Sequence, residues 1–325
     1  MDEKLKEIIA TIDKAISELD LGLDLPNLYD PIYYILGLGG KRIRPLLSIL
    51  AYQLYQKGYD KILKPSLAVE VFHNFTLMHD DIMDQAPLRR NMPTVHSKWN
   101  ENIAILSGDV MLVRVYDLLL EVEDSIVKEV ISKFNNCAAT VCEGQQMDMD
   151  FETTDFVSVD EYLNMIRLKT AVLLGFSMEL GGLIGGATKE DQANLKQFGI
   201  NMGIGFQLMD DLLDVYADKE VFGKQVGGDI IANKKTYLLI KSLELAQGIS
   251  KRELEKWMSY KNFDPLEKVK SVTSLYNHLD IERLTKEQIN YYFDLGLDAF
   301  NKIKIKKERR KDLLSISSFL MNREK

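Results

Sequence analysis

The chain contains few of the residues that interrupt helices or cross-link loops. Only 7 of its 325 residues are proline and only 2 are cysteine. No proline falls between Pro93 and Pro265. Because an interior proline breaks a helix, that interval can form several long helices. Two cysteines give no disulfide framework, so we expect Cys137 and Cys142 to pack as small apolar groups in a reduced, cytoplasmic location.

Several kinds of segment are also missing. No Gly/Ser-rich or low-complexity linker divides the sequence, so we predict a single domain over residues 1–325. The most apolar stretch, 171–186, is interrupted by Glu179 and rich in glycine, so we expect no transmembrane segment. The first residues lack the order of a secretion signal. The net charge of −8 disfavours nucleic acid as the main partner.

What the sequence does have is apolar residues at helical spacing along most of its length. No Asn-Gly or Asp-Gly turn joins alternating segments, so no β-hairpin is expected. The predicted fold class is therefore all-α, a single large helical bundle. The helices are predicted near 4–19, 28–36, 41–56, 66–84, 159–182 and 189–215, with two or three between 94 and 151 and more from 234 to 321.

Two aspartate-rich segments with the same DDxxD spacing occupy 80–84 and 210–214. On a helix, the first and last carboxylates of each segment lie on one face. Like charges this close repel each other, and a divalent cation between them relieves the repulsion. Carboxylates without His or Cys suit a hard ion such as Mg²⁺. A solvated acidic face would explain one such segment, but two segments embedded in apolar helix indicate metal binding.

Basic residues accompany both aspartate-rich segments. A glycine turn precedes Lys41, Arg42 and Arg44 at the start of a helix, where main-chain amides also favour an anion. Arginine forks suit phosphate oxygens, and Arg89 and Arg90 follow the first segment. A second basic group, near the other segment, consists of Lys169, Lys224 and Lys234. Two separable basic groups suggest two diphosphates.

His73 lies about two helical turns before Asp80. It is either a core residue with a local hydrogen bond or a ligand contact, and the neighbouring basic residues favour the second interpretation. The four histidines lack zinc-ligand spacing. No nucleophile elbow, Walker loop or dinucleotide fingerprint is present.

Taken in order, these motifs resemble those of the trans-type isoprenyl (polyprenyl) diphosphate synthases. The resemblance extends from about residue 36 to 237. It implies an all-α bundle around a deep central active-site cavity, the isoprenoid synthase fold, and usually a homodimer. It rests on GGKRIRP at 39–45, Val69-Glu70 with His73, 79–84 with Arg89-Arg90, Gly108-Asp109, Gly144-Gln145 with Asp148, Lys169-Thr170, and FQLMDD at 206–211 with Lys224 and Lys234.

The resemblance also implies a reaction. Isopentenyl diphosphate would be condensed with an allylic diphosphate (dimethylallyl, geranyl or farnesyl) by ionisation, condensation and proton loss. Three Mg²⁺ ions, with Mn²⁺ as an alternative, would be held by Asp80, Asp84 and Asp210, supported by Asp81, Asp211 and Asp214. The catalytic residues would be Asp80, Asp81, Asp84, Asp210, Lys169, Thr170 and Gln207, of which Thr170 and Gln207 would stabilise the carbocation by their dipoles.

The two diphosphates would be bound by different basic residues. The resemblance assigns the allylic diphosphate to Arg89, Lys169, Lys224 and Lys234. It assigns isopentenyl diphosphate to Lys41, Arg44, His73 and Arg90.

Product length is expected to depend on Phe72 and Phe75, which precede the first aspartate-rich segment on one helix. Aromatic side chains there should stop elongation early, whereas long-chain relatives tend to carry a small residue at position 75. We therefore predict a product of fifteen or twenty carbons and favour twenty. The alternative is that Phe75 is only a core residue and other groups set the length.

The sequence departs from the family pattern at a few positions. Asn91 and Asn233 stand where relatives usually have glycine, and asparagine can adopt the positive φ such turns require. Tyr237-Leu238 replaces a common Leu-Pro. None of these changes removes a predicted metal or phosphate ligand.

Three other functions remain open at this stage. A terpene cyclase of similar fold needs only one diphosphate, and its second metal site usually mixes Asn, Ser and Glu. A silent subunit of a heteromeric synthase usually loses aspartates that this chain keeps. A non-catalytic cation- or phosphate-binding scaffold is the third. The sequence does not fix the exact product length, the preferred primer or the downstream pathway.

Overall fold

The structure is a computed structural model that describes residues 3–22, 24–217 and 227–321, and these are almost entirely helical. The first helices are α1 (Glu3–Ser17), α2 (Pro26–Gly37), α3 (Ile43–Gln53), α4 (Asp60–Met83), α5 (Val95–Lys98), α6 (Glu101–Leu119) and α7 (Asp124–Thr153). They are followed by α8 (Val159–Ile166), a π-helical turn (Arg167–Ala171), α9 (Val172–Gly185) and α10 (Lys189–Tyr216). The remaining helices are α11 (Gly228–Ile231), α12 (Tyr237–Leu245), α13 (Gly248–Ser259), α14 (Pro265–His278), α15 (Ile281–Asn301), a 3₁₀ turn (Lys307–Arg310) and α16 (Lys311–Met321). The prediction of an all-α fold is confirmed.

Contacts between Cα atoms divide the chain into two compact units. Unit 1 comprises Met1–Asn136, Phe176–Lys196 and Ile303–Ile316, and unit 2 comprises Cys137–Gly175, Gln197–Lys302 and Ser317–Lys325. Each unit has buried apolar residues of its own. In unit 1 they include Leu5, Ile12, Ile32 and Leu46, and in unit 2 they include Leu208, Leu238, Phe293 and Phe300.

Two helices begin earlier than predicted, and each contains a proline near its start. Pro31 lies within α2 and Pro65 within α4, so the predicted starts at 28 and 66 are too late. Each proline is the sixth residue of its helix, counting from Pro26 and from Asp60. Near a helix start the missing N–H removes only one of the first hydrogen bonds. Both rings are buried, and that burial offsets the loss.

A small hairpin also contradicts the sequence prediction. Strand β1 (Leu88–Arg89) pairs antiparallel with strand β2 (Met92–Pro93). The two residues between them, Arg90 and Asn91, both have left-handed backbone conformations, with φ of 53° and 63°. A two-residue hairpin requires this geometry, but the Arg-Asn pair carries no glycine to signal it. The expectation that Asn91 adopts positive φ is confirmed.

Cysteine packing was predicted only half correctly. Both cysteines are free thiols; Cys137 is buried, as expected, but Cys142 is exposed. On helix α7 the two residues are five positions apart, which places them on different faces. Only one of them can therefore face the core.

One helical stretch, Val159–Gly185, is long and apolar enough to cross a membrane by length and composition alone. However, 83% of its most apolar window is buried inside the protein, as in a core helix. The stretch begins with a capping box between Ser158 and Glu161, which satisfies main-chain donors at the helix start. It therefore gives no sign of a membrane span.

Arg42 ties the glycine turn of unit 1 to the core. It has a left-handed backbone conformation with φ of 48°, and its side chain is only 3% exposed. Its guanidinium donates to a carboxylate oxygen of Glu70 (2.8 Å), to Asp13 (2.8 Å) and to the carbonyl of Leu36 (2.8 Å). The sequence grouped Arg42 with the candidate anion ligands, but its donors are used to hold the turn that presents Lys41.

Replacing Arg42 with methionine should destabilise the protein, because Glu70, 3% exposed, would remain buried without its cation. Breaking a buried ion pair costs roughly 3 kcal/mol, so we expect a fall of that size in the free energy of unfolding measured by urea denaturation. Arg283→Met is the matched control, since it removes two ion pairs from an exposed helix face and should have a far smaller effect. Equal losses in the two variants would contradict this role for Arg42.

Candidate active site

The first aspartate-rich segment forms the end of α4, and its carboxylates have different surroundings. Asp81 is buried, with its side chain 2% exposed, whereas Asp80 is 18% exposed. Asp84 is exposed and caps the helix. Asp80 and Asp84 are thus a solvent-accessible pair one helical turn apart, the arrangement predicted for metal ligands.

Asp81 is instead paired with Arg89 from strand β1. Arg89 donates from Nε (2.9 and 2.8 Å) and from a terminal nitrogen (2.7 Å) to the Asp81 carboxylate. A terminal nitrogen of Arg89 also lies 3.8 Å from Asp80. Burial lowers the pKa of Arg89, but the ion pair with Asp81 outweighs burial and raises it overall. In the structure, Asp81 therefore orients Arg89 beside the exposed carboxylates.

A second group of unit 1 surrounds His73 with positive charge. Burial lowers the pKa of His73 well below its usual value, and the charges of four arginines lower it further. His73 is therefore neutral and can bind an anion only by hydrogen bonding. The arginines that act on it are Arg44, Arg90, Arg89 and Arg42.

The glycine turn and the hairpin meet at this group. A Cβ atom built on Gly40 would lie 3.0 Å from a guanidinium nitrogen of Arg90. Glycine at position 40 therefore allows the Arg90 side chain to pack against the main chain of the turn. Burial lowers the pKa of Arg90, as do the charges of Arg42 and Arg89. Positive charge is therefore concentrated around His73, and the exposed Lys41 adds a further positive charge next to the glycine turn. Such a concentration suits a diphosphate.

The second aspartate-rich segment lies in the last turns of α10, in unit 2. Asp211 is 4% exposed; it accepts hydrogen bonds from the hydroxyl of Tyr162 and from Nε2 of Gln207 (3.1 Å). Burial, followed by the charge of Asp229, raises the pKa of Asp211 to about 7.

Asp229 is the centre of this acidic group. Burial raises its pKa to about 6, and repulsion from Asp214, Asp148 and Asp210 contributes, while Lys234 opposes the rise. Its main-chain N–H donates to the Asp214 carboxylate (3.0 Å). Burial and, to a lesser extent, the neighbouring carboxylates thus disfavour the charged form of Asp229, and a bound cation would favour it.

Lys169 and Thr170 sit on the π-helical turn, a feature frequent at functional sites. Lys169 pairs with Asp148 at 2.6 Å, and the Thr170 hydroxyl donates to Oε1 of Gln207 at 3.3 Å. Helix α7 passes close to this turn, because a Cβ atom on Gly144 would lie 2.2 Å from the Lys169 main-chain nitrogen. One pocket of unit 2 is lined by Asp148, Tyr162, Met165, Ile166, Lys169, Thr170, Gln207, Asp211, Lys234 and Thr236.

The structure thus brings together, within each unit, residues that the sequence singled out at distant positions. Lys224 lies outside the described residues. Sequence reasoning missed Tyr162 and Asp229. Asp229 directly follows two glycines and could have been suspected from that turn, but nothing in the spacing distinguishes Tyr162 from its apolar neighbours.

Carboxylate oxygen is the donor chemistry available for a metal. Within residues 3–22, 24–217 and 227–321, no three His, Cys, Asp or Glu side chains are gathered into a ready metal site. Mg²⁺ does not need one, since it usually takes one or two carboxylates and completes its shell with water and substrate phosphate. The exposed pair Asp80 and Asp84 and the crowded carboxylates near Asp229 fit this ion.

The chain is similar to known proteins over its whole length. The profile of the polyprenyl synthetase family matches residues 25–277. The geranylgeranyl diphosphate synthase of Sulfolobus acidocaldarius is 35% identical over 330 residues, covering 100% of this chain and 99% of the relative. That of Methanosarcina mazei is 42% identical over 248 residues, covering 74% and 75%. A crystal structure of a geranylgeranyl pyrophosphate synthase has a TM-score of 0.92 and 41% identity, with 100% of both chains covered.

These similarities and the all-α fold place the protein among the prenyltransferases. More specifically, the chain belongs to the polyprenyl synthetase family. The resemblance recognised in the sequence motifs is confirmed.

Proposed function

We propose that this protein condenses isopentenyl diphosphate with an allylic diphosphate, head to tail and in the trans configuration, to a product of fifteen or twenty carbons, with twenty favoured. One observation supports this most directly: the described residues include two separate basic groups, as two diphosphate substrates require. One surrounds His73 in unit 1, and the other includes Lys169 and Lys234 in unit 2. The names of the relatives favour the twenty-carbon product. The reduced, cytoplasmic location and the lack of a nucleic-acid partner remain predictions.

The residues of unit 2 suit the diphosphate that leaves. When the allylic C–O bond ionises, negative charge accumulates on the departing diphosphate, and lysines oppose it electrostatically. Lys169 and Lys234 line one pocket with Thr170 and Gln207. Bound Mg²⁺, three ions in the full proposal, would neutralise the same charge. In unit 2, Asp210 would be a Mg²⁺ ligand with Asp211 and Asp214 in support. In unit 1, Asp80 and Asp84 remain the proposed Mg²⁺ ligands.

Thr170 and Gln207 are suited to the carbocation rather than to phosphate. The Thr170 hydroxyl donates its proton to Gln207, so the lone pairs of the hydroxyl oxygen stay available. Gln207 donates in turn to Asp211, which fixes the amide. The negative ends of these dipoles can stabilise a cation without capturing it.

The residues of unit 1 around His73 suit the diphosphate that is retained. Isopentenyl diphosphate keeps its C–O bond, so its diphosphate needs steady binding rather than stabilisation of a leaving group. Arg44 and Arg90 act on one neutral histidine, and Lys41 extends this group. The proposal keeps both sets of diphosphate ligands that the resemblance implies. The allylic diphosphate would be bound by Arg89, Lys169, Lys224 and Lys234. Isopentenyl diphosphate would be bound by Lys41, Arg44, His73 and Arg90.

The decisive experiment supplies purified protein with Mg²⁺, isopentenyl diphosphate and each allylic primer in turn, and determines products by mass. We expect an all-trans twenty-carbon diphosphate, lost with EDTA. Asp80→Ala should lower turnover by roughly a hundredfold or more, since even residues supporting a metal ligand contribute 10–100-fold. Asp294→Ala, an exposed aspartate on α15, is the control and should retain activity.

The other outcomes point to the competing functions. Hydrocarbon formed from an allylic diphosphate alone would identify a cyclase. Absence of condensation with every primer, from a folded protein, would favour a silent subunit or a non-catalytic scaffold.

Product length is proposed to depend mainly on Phe75. Phe72 is 1% exposed, and its ring packs 5.2 Å from that of Phe134, so it belongs to the core. Phe75 is only half-buried and lies between Phe72 (5.7 Å) and His79 (4.7 Å). Of the two aromatics, Phe75 is therefore the one that a growing chain could meet.

Phe75→Ala should lengthen the product, because it removes an aromatic side chain that is not needed to fill the core. Mass analysis should show chains of more than twenty carbons. Leu77→Ala is the matched control: Leu77 is also half-buried on α4 but points nearly opposite, so product length should not change. An unchanged product distribution in Phe75→Ala would refute this role.

We also propose a homodimer formed through helix α6. Leu106, Val113 and Leu120 are 56%, 59% and 56% exposed and are spaced seven residues apart, so they form one apolar stripe. Apolar side chains grouped on a surface mark interaction sites. A second copy of the chain is the occupant implied by the family resemblance, and the same stripe on two copies can form a symmetric contact.

Val113→Asp should shift the protein to monomers, because it places an unpaired charge in the stripe. Light scattering coupled to size-exclusion chromatography would measure the mass. Ser274→Asp, at an exposed polar position of helix α14, adds the same charge outside helix α6 and should leave the dimer intact. A dimer that survives Val113→Asp would exclude this surface.

A further inference from the structure

Unit 2 contains a buried lysine that the proposed chemistry does not use. Lys268, near the start of α14, is 1% exposed. Among the residues that the structure describes, the groups that contact its ammonium are neutral: the carbonyl of Ile231 (3.1 Å), Oδ1 of Asn233 (2.7 Å) and the ring face of Phe263 (4.3 Å). Burying an ammonium group without a carboxylate is costly unless its donors are well satisfied. The site is therefore built around these acceptors.

Asn233 is the main partner of Lys268 and is itself held on two sides. Its backbone is left-handed, with φ of 55°, as its replacement of a family glycine led us to expect. Its side-chain amide donates to the carbonyl of Met258 (3.0 Å) while its oxygen accepts from Lys268. A glycine could adopt this backbone but could make neither contact.

The next residue in the chain is Lys234, one of the proposed diphosphate ligands. Its main-chain N–H donates to the carbonyl of Asp229 (2.9 Å). At the other end of the segment 227–234, the N–H groups of Gly227 and Asp229 donate to the carbonyl (2.7 Å) and the carboxylate (3.0 Å) of Asp214. The segment is thus fixed at one end by the second aspartate-rich motif and at the other by Lys268.

A shared pocket links these groups. Asp229, Asn233, Lys234 and Lys268 all contribute to its lining. A change in the Lys268–Asn233 contact therefore acts directly on the stretch that carries Lys234 and Asp229.

We propose that Lys268 and Asn233 are a positioning pair that holds Lys234 and Asp229 in place for binding a magnesium-bound diphosphate. The pair would not touch the substrate; it would act through the backbone of residues 229–234. That the diphosphate is the allylic one rests on the proposed function. The competing explanation is that Lys268 only fills the core, in which case an apolar side chain of similar length would serve equally well.

The test compares Lys268→Met and Asn233→Gly with the unmodified protein. Asn233→Gly keeps the left-handed backbone accessible, so it remains informative should Lys268→Met fail to fold. We expect each variant to raise KM for the allylic diphosphate by roughly tenfold, the contribution of one hydrogen bond to a charged group, with KM for isopentenyl diphosphate nearly unchanged. The loss in the double variant should be smaller than the sum of the two single losses, because both variants remove the Lys268–Asn233 contact.

Calorimetric titration with inorganic diphosphate and Mg²⁺ provides a readout that does not depend on turnover. The same tenfold weakening is expected there, even if the unmodified protein proves unable to condense its substrates. Lys270→Met, an exposed lysine of the same helix, is the matched control and should bind as the unmodified protein does.

Unchanged diphosphate affinity in Asn233→Gly would overturn the positioning pair while leaving the proposed function intact. Equal increases in both KM values, or additive losses in the double variant, would likewise overturn it in favour of a general structural role. Failure of the unmodified protein to bind diphosphate would overturn it as well. Loss of condensation with the calorimetric difference preserved would count against the proposed function alone.

Discussion

Burial of neighbouring carboxylates is the constraint on which the unit 2 site depends. Burial and neighbouring aspartates raise the pKa values of Asp211 and Asp229 to about 7 and about 6. Hydrogen bonds from Tyr162 and Gln207 and the charge of Lys234 reduce the effect without abolishing it. A site left in this condition favours an added cation. A bound cation would therefore stabilise the charged form of these buried carboxylates.

Unit 1 shows the opposite arrangement, in which positive charge is in excess around a neutral histidine. Each unit also uses one ion pair to orient a proposed ligand: Asp81 orients Arg89, and Asp148 orients Lys169. Such pairs hold a cation in place before substrate arrives, which lowers the ordering cost of binding.

Residue spacing sufficed to predict the long helices and both aspartate-rich helix ends, because the apolar period and the i, i+4 carboxylates are local properties. Residue spacing failed where tertiary contacts determine the helix bounds or the role of a side chain. Pro31 and Pro65 are tolerated because their rings are buried. The roles of Tyr162 and Asp229 depend on a contact with α10 that no local pattern encodes. The pairing of Arg42 with Glu70 and Asp13 could not be predicted, because the sequence does not show which acidic residues lie next to the glycine turn.

The resemblance implies glycine at the positions of Asn91 and Asn233, and these two asparagines have different consequences. Both adopt left-handed φ, so both meet the requirement that glycine normally meets. Asn91 is exposed in the hairpin turn, and within the described part of the chain its side chain makes no hydrogen bond, so it does no more than glycine would. Asn233 connects Met258 with Lys268 and so adds contacts that glycine cannot make. The substitution before Lys234 therefore constrains the segment that carries the proposed diphosphate ligand, whereas the one in the hairpin only preserves a turn.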